Sequence, residues 1–354
     1  MKGDCIVTGG AGFIGCALSG HLVKRFRNVV AIDNLHPQVH AGGRRPARLD
    51  KRVTLIEADI CEEDTWARVL ADYTPTLVIH LAAETGTAQS LTEASRHGIV
   101  NVVGTMRMLD ALASADHKPK RILLASSRAV YGEGRWRDKK GKFSYPGQRT
   151  AEQFARGEWD FPGLTSTPFD AAVTEPRPTS IYGATKLAQE HLLNAWCLAQ
   201  GVEPIILRLQ NVMGAGQSLI NAYTGIVVLF CRLAREGRVI PLYEDGLISR
   251  DFVDVKDVAD AMIAALDRPD DAPRIAIPLD VGSGIPRTIA ELAGWIAAHY
   301  KAPEPVVNSA YRQGDVRHAV CAIARTTEAI GWVPQRLFED TLTEIADWTD
   351  HANG

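Results

Sequence analysis

A tyrosine and a lysine four residues apart, Tyr182 and Lys186 in Tyr-Gly-Ala-Thr-Lys, precede a run of helix-forming residues. At about 3.6 residues per turn the two side chains share one helix face. An ammonium one turn from a phenol favours the phenolate, because opposite charge stabilises the ionised form. That would make a base of a side chain ordinarily protonated at neutral pH. The same spacing occurs by chance on helices that carry a surface lysine and a half-buried tyrosine, so the elements around it must decide.

The apolar run Asp4 to Thr8 leads into Gly9-Gly10-Ala11-Gly12-Phe13-Ile14-Gly15, then a helical pattern through Leu18, Leu22 and Val23. Strand, glycine turn and helix in that order is the context of a dinucleotide site. Gly9 permits a tight turn, Gly12 a close approach to a pyrophosphate, and Gly15 close packing of helix on strand. A ligand-free glycine turn is the alternative. The second strand, Val29 to Ile32, ends at Asp33, where a carboxylate would take both adenosine-ribose hydroxyls and repel a 2′-phosphate, favouring NAD over NADP. Arg44 and Arg45 nearby are read as solvated loop residues. The third strand, Val53 to Glu57, leads to Asp59 and Ile60, placed to meet an adenine, with a helix N-cap as the other role for Asp59.

The fourth strand, Leu77 to Leu81, ends in Ala82 and Ala83, small enough to leave room for a cofactor beyond the carboxyl ends of parallel strands. His80 within it is expected to be a satisfied core residue. A helix from about Ile99 to Ala113 carries Asn101, and the fifth strand, Arg121 to Ala125, runs into Ser126 and Ser127. Residues 133–178 break the alternation, and their aromatics favour an ordered excursion over a linker. A sixth strand, Pro204 to Arg208, ends in Gln210 and Asn211. Beyond Val212 come helices near 219–236 and 258–266 and strands near 250–255 and 275–281, and helices near 289–300 and 338–348 complete a smaller lobe, without internal repeats.

The 354 residues carry a net charge of −3, which gives no electrostatic case for nucleic acid. No apolar run is long enough for a membrane span, and the N-terminus shows no signal-peptide pattern. The six cysteines form no C-x-x-C pair, arguing against disulfides and structural metal and for a reducing, cytoplasmic setting.

Taken together, Thr8 to Gly15, Asp33-Asn34-Leu35, Asp59, His80 to Ala83, Ser126-Ser127, Val130-Tyr131-Gly132, Tyr182-x-x-x-Lys186, Arg208-x-x-Asn211, Arg250-Asp251-Phe252-Val253 and Arg312-Gln313-Gly314-Asp315 resemble the extended short-chain dehydrogenase/reductase family. The resemblance runs from Thr8 to about Pro334, in the nucleotide-sugar 4-epimerase branch. It implies an α/β chain: a Rossmann-type doubly wound parallel sheet with a smaller C-terminal α/β substrate lobe. The NAD-binding domain would span 1–211, with about 252–282 returning to it and an insertion at 133–178. Segments 212–251 and 283–354 would form the nucleotide-sugar lobe.

The resemblance also implies roles. Tyr182 would be the base at a sugar hydroxyl, Lys186 would bond the nicotinamide ribose, and Ser127 would bond the same sugar oxygen as Tyr182. Tightly bound NAD would be held by Gly9, Gly12, Phe13, Ile14 and Gly15 at the phosphates. Asp33, Asn34, Leu35, Asp59 and Ile60 would serve the adenosine. Leu81, Ala82, Ala83, Thr85, Asn101, Ser126 and Gln210 would line the remainder with Tyr182 and Lys186. Thr87, Arg128, Asn211, Arg250 and Arg312 would hold the substrate, arginine suiting diphosphate through its paired donors. No metal is expected, since the insertion lacks the cysteines that some relatives carry there.

The family's 4,6-dehydratases place an Asp-Glu pair after the catalytic Ser/Thr. Here Arg128 and Ala129 stand there, which disfavours dehydration. A sharper resemblance, through Ala83 to Ser90, Ser126 to Gly134, the enlarged insertion and Arg208 to Val212, is to bacterial epimerases that convert dTDP-L-rhamnose to dTDP-6-deoxy-L-talose. Met213 departs from a common tyrosine. UDP-glucose or UDP-N-acetylglucosamine 4-epimerisation, a reductase or dehydrogenase releasing reduced cofactor, and a non-catalytic NAD sensor stay open. The family also implies a homodimer through a four-helix bundle, built from the helix after Asn101 and the Tyr182 helix. The apolar positions Val102, Met106, Leu109, Leu193 and Trp196 equally suit burial against the chain's own sheet.

Overall fold

Seven short β-branched and aliphatic runs make one sheet. The computed structural model describes residues 2–220, 225–269, 271–275 and 277–351. The strands are β1 (Lys2–Thr8), β2 (Phe26–Asp33), β3 (Thr54–Glu57), β4 (Pro75–His80), β5 (Arg121–Ser127), β6 (Glu203–Leu209) and β7 (Leu279–Val281), in the order β7-β6-β5-β4-β1-β2-β3 and parallel throughout. Alternation along β1 shows how both faces are covered. Cys5 and Val7 enter a core with α1 (Phe13–Leu22) and the helix Val255–Leu266, while Ile6 enters another with Trp66, Met108 and Leu193. The strand order reverses beside β1, where Thr8 pairs with both Ile32 and His80 and opens a crevice at the carboxyl ends.

The order of elements follows the sequence expectation, with shifted boundaries. The seventh strand starts at Leu279 rather than near 275, Pro278 having no N–H to donate. The helix expected over 219–236 is Ile226–Arg235 where described, and residues 221–224 lie outside the described residues. Helix Ile181–Gln200, here α2, begins at Ser180, whose hydroxyl accepts from Gly183 N, and stops at the left-handed Gly201. The helix carrying Asn101 enters as one π-helical stretch, Gly98–Val103, before regular α-helix Gly104–Ser114.

The smaller lobe pairs Asn211–Met213 with Ser249–Asp254, which also meets Pro286–Thr288 and His318–Ala319. Helices Ile226–Arg235, Ile289–Tyr300 and Phe338–His351 enclose its core. The 133–178 excursion is ordered. Three short antiparallel strands (Trp136–Asp138, Phe143–Ser144, Leu164–Ser166) support a capped turn of helix, Ala151–Ala155. Its buried Arg149 reaches Glu244 at 2.7 Å, and Asp160 meets Arg317 at 3.2 Å, so the insertion is clasped to the smaller lobe. Of the apolar positions left ambiguous by periodicity, Leu109 and Leu193 face the chain's own core, whereas Met106 is exposed, as are Ile99 and Leu198. The six cysteines are free thiols, and among the described residues no helix is long and apolar enough to cross a membrane.

Candidate functional site

The carboxyl ends of β1, β2, β4, β5 and β6 floor a cleft of about 770 Å³ that runs on to the smaller lobe. At one end Gly9 has φ +65°, and a Cβ there would come within 2.7 Å of Ala82 N. A Cβ on Gly15 would run into the Gly10 carbonyl oxygen. Helix α1 starts at Gly12 with no side-chain cap and no acidic residue in its first turn, so its leading N–H groups are available to an anion. This backbone-lined cradle fits a pyrophosphate.

The Asp33 carboxylate accepts from Ala11 N and Leu35 N, each at 3.0 Å, and still lines the cleft. Asn34 donates to Asp59, and Asp59 accepts from Cys61 N. The N-cap of the next helix is Glu62, so capping is not the role of Asp59. Arg45, expected to be solvated, bonds the carbonyls of Val53 and Asp50. That engagement turns Arg45 away from the cleft, and the Asp33 carboxylate has His40 Nε2 at 3.5 Å.

In the middle of the cleft, α2 brings Tyr182 and Lys186 beside Ser127. Gly183 makes this approach possible, because a Cβ there would meet the Ala129 carbonyl oxygen. The Ser127 hydroxyl also accepts from Ala129 N at 3.1 Å, closing the turn that carries Arg128. Burial raises Tyr182 above the usual phenol value, opposed by the Ser127 hydrogen bond and the Arg128 charge. The sequence expectation that Lys186 lowers Tyr182 is therefore corrected: burial outweighs it, and Lys186 is not among the charges that act on the phenol. Lys186 is itself pushed down to about 7 by burial, with Glu190 acting against it. His80 is buried, faces Thr8, Thr105 and Gln189, and is pushed down to about 3, first by burial and then by Lys186, so it stays neutral.

On the substrate side, Arg128 donates to Asn211 Oδ1 at 2.8 Å, and Arg250 donates to the carbonyls of Ser249 and Arg317. Arg128 is lowered to about 9 by burial and by the like charge of Arg250. Among the described residues neither pairs with a carboxylate within 4.0 Å, as suits two cations awaiting an anion. Arg312 lies over the Tyr243 ring at 5.2 Å and reaches the same cleft. The Gln210 side chain, 5% exposed, lines the cleft with both amide atoms unpartnered among the described residues, so a ligand can use them.

The cleft also gathers Phe13, Ile14, Ile60, Leu81, Ala83, Thr85, Thr87 and Ser126. Leu35 and Asn101 stand outside its lining. Leu35 has φ +47° and contributes its N–H to Asp33. Asn101, fully buried, ties Glu84 N and O to Thr185 Oγ1, supporting the cleft wall from behind. Sequence reasoning missed Glu190, which accepts from Ser126 and from both ends of the Arg208 guanidinium. Its place one turn beyond Lys186 was the available clue.

Residues 5–277 match the model of the NAD dependent epimerase/dehydratase family. A dTDP-L-rhamnose 4-epimerase from Burkholderia thailandensis is 55% identical over 343 residues, covering 97% of this chain and 94% of that protein. A UDP-glucose 4-epimerase from Mycolicibacterium smegmatis is 29% identical, with 97% of each chain covered. Among solved structures, Thermus thermophilus UDP-glucose 4-epimerase in complex with NAD superposes with a TM-score of 0.76 at 27% identity, covering 99% of both chains. A glycine cradle at a helix start, a cleft-facing acid and a Tyr/Lys/Ser cluster on this sheet agree with those matches: the chain belongs to the NAD dependent epimerase/dehydratase family, in its nucleotide-sugar 4-epimerase branch.

Proposed function

We propose that the chain interconverts dTDP-L-rhamnose and dTDP-6-deoxy-L-talose by inverting C4. The observation that carries this reading is half-buried Tyr182 beside buried Ser127, between the glycine cradle and Arg128 and Arg250, which among the described residues form no ion pair within 4.0 Å. The 55% identical relative supports the sugar and base, and UDP-sugar epimerases are more distant. Arg128 and Ala129 replace the acid pair that dehydration would require.

Bound NAD supplies the acceptor, and then the donor, of the C4 hydride. Tyr182 takes the proton of the C4 hydroxyl. Ser127 bonds the same oxygen and passes the proton between it and the phenol. Lys186, as an ammonium, would donate to the nicotinamide ribose, while the Ser127 hydrogen bond and the Arg128 charge favour the Tyr182 phenolate against burial. Arg128, Asn211, Arg250 and Arg312 grip the diphosphate end while the 4-keto sugar turns over. Tyr182 then returns the proton to the inverted oxygen. The larger unit, 1–211 with about 252–282, holds NAD tightly, through Gly9, Gly12, Gly15, Asp33 and the orphan amide of Gln210. The smaller lobe holds the nucleotide sugar, Thr87 closing the sugar pocket. The exposed Met106 and Leu198, on the two helices that the family pairs into a bundle, support a homodimer, and the free thiols support a cytoplasmic setting.

Purified protein incubated with dTDP-L-rhamnose, without added cofactor, is expected to give a second dTDP-hexose inverted at C4 by NMR. No conversion even with added NAD would remove this substrate. Turnover of UDP-glucose in its place would favour the UDP-sugar reading.

A further inference from the structure

Lys186 occupies a site that works against its own charge. It is 2% exposed, and the next turn of its helix carries Glu190. Its own helix carries Tyr182 and Glu190 on the same face, and neutral His80 from β4 lies close enough to feel its charge; Arg128 after β5 acts on Tyr182, and Arg208 from β6 reaches Glu190. Glu190 is the only carboxylate among these. It lies one helical turn beyond Lys186 and two beyond Tyr182, on the same face.

Glu190 is held on several sides. Ser126 Oγ donates to Oε1, and Arg208 donates through Nε to Oε1 at 3.0 Å and through Nη2 to Oε2 at 2.7 Å. The Arg208 guanidinium lies over the Tyr131 ring at 4.7 Å, and the Tyr131 hydroxyl donates to Asp280 at 2.8 Å. A buried chain of hydrogen bonds and one ring contact thus runs from the active-site floor to Asp280 on the edge strand β7. A buried ion pair by itself is weak evidence for stability, so a role in function is the better account of its position.

We propose that Glu190 is a positioning residue that keeps Lys186 charged within the cleft, with Arg208 and Ser126 fixing its carboxylate. This rests on the role given to Lys186 under Proposed function. Burial already brings Lys186 down to about 7 with Glu190 present. Removing the carboxylate removes that attraction and leaves Arg208, always protonated, with only the more distant Asp280 to offset its charge. Both changes lower Lys186 further. A lysine is charged below its pKa, so its charge, and the alkaline limb of activity, would be lost at lower pH.

The test is an NMR titration of protein labelled at lysine Cε, with the Lys186 resonance identified by its loss in Lys186→Arg, alongside the pH profile of kcat/KM. Glu190→Gln is expected to lower the Lys186 midpoint by about one unit or more and to move the alkaline limb with it. Glu190→Asp should shift both less, in the same direction. Tyr131→Phe, which breaks the far end of the chain, should lower Tm and leave the midpoint in place. An unmoved midpoint in Glu190→Gln, or an equal shift in Tyr131→Phe, would overturn the inference. If Glu190→Gln does not fold, an unmoved midpoint in Glu190→Asp overturns it instead. An active Lys186→Met enzyme would sink the assigned role of Lys186 separately, whatever the titration shows.

Discussion

Replacing Tyr182 with phenylalanine is expected to lower kcat by roughly 10²–10⁴-fold, the usual contribution of a positioned acid–base group, while the protein keeps its fold and its NAD. The phenol is half-buried, and its hydroxyl bonds Ser127 within the cleft. The ring also sits edge-on to His97, with centroids 6.5 Å apart, a contact that phenylalanine preserves. Removing a buried hydroxyl whose burial is unfavourable to ionisation leaves no charge stranded. The loss should therefore fall on kcat with little change in Tm. Rate by NMR, bound NAD by absorbance after denaturation, and thermal melting together check this. A variant that retains more than a tenth of wild-type kcat would remove Tyr182 from the chemistry.

Gly9→Val should abolish NAD binding and leave little folded protein. The residue holds φ +65°, where a β-branched side chain is an outlier costing about 1–3 kcal/mol or more. Its Cβ would stand 2.7 Å from Ala82 N and 2.8 Å from Ala82 Cα, backbone atoms that follow β4 and have nowhere to retreat. Gly20→Ala is the contrast. It lies within α1 with nothing within 4 Å of an added Cβ, so it should stabilise by about 0.5–1 kcal/mol. Melting curves with and without NAD compare the two. Equal behaviour of the two variants would contradict the cradle assignment.

Local order carries most of what sequence revealed. The strands ending at Thr8, Asp33, His80 and Ser127 alternate or run apolar as buried parallel strands do, and their ends collect the site because the sheet is parallel. What escaped is non-local. Arg149 meets Glu244 95 positions away and Arg317 meets Asp160 157 positions away, so composition alone could not dock the 133–178 excursion. Asn101 has the polarity of a ligand residue, and only the backbone of Glu84 and the hydroxyl of Thr185 show that its amide is occupied. The direction of the Tyr182 shift escaped for a related reason. Spacing on one helix shows the neighbouring lysine, whereas burial, the larger effect, is set by β5 and the Arg128 turn packed against it.

The central claim is transient oxidation at C4 with the hydride returned to the same carbon. The most direct test is conversion of dTDP-L-rhamnose deuterated at C4, run in ordinary water, with the reverse labelling in D₂O. The account predicts product that retains its C4 deuterium in the first experiment and takes none from solvent in the second. Solvent hydrogen appearing at C4 would contradict it, because inversion would then proceed by removing a proton from carbon.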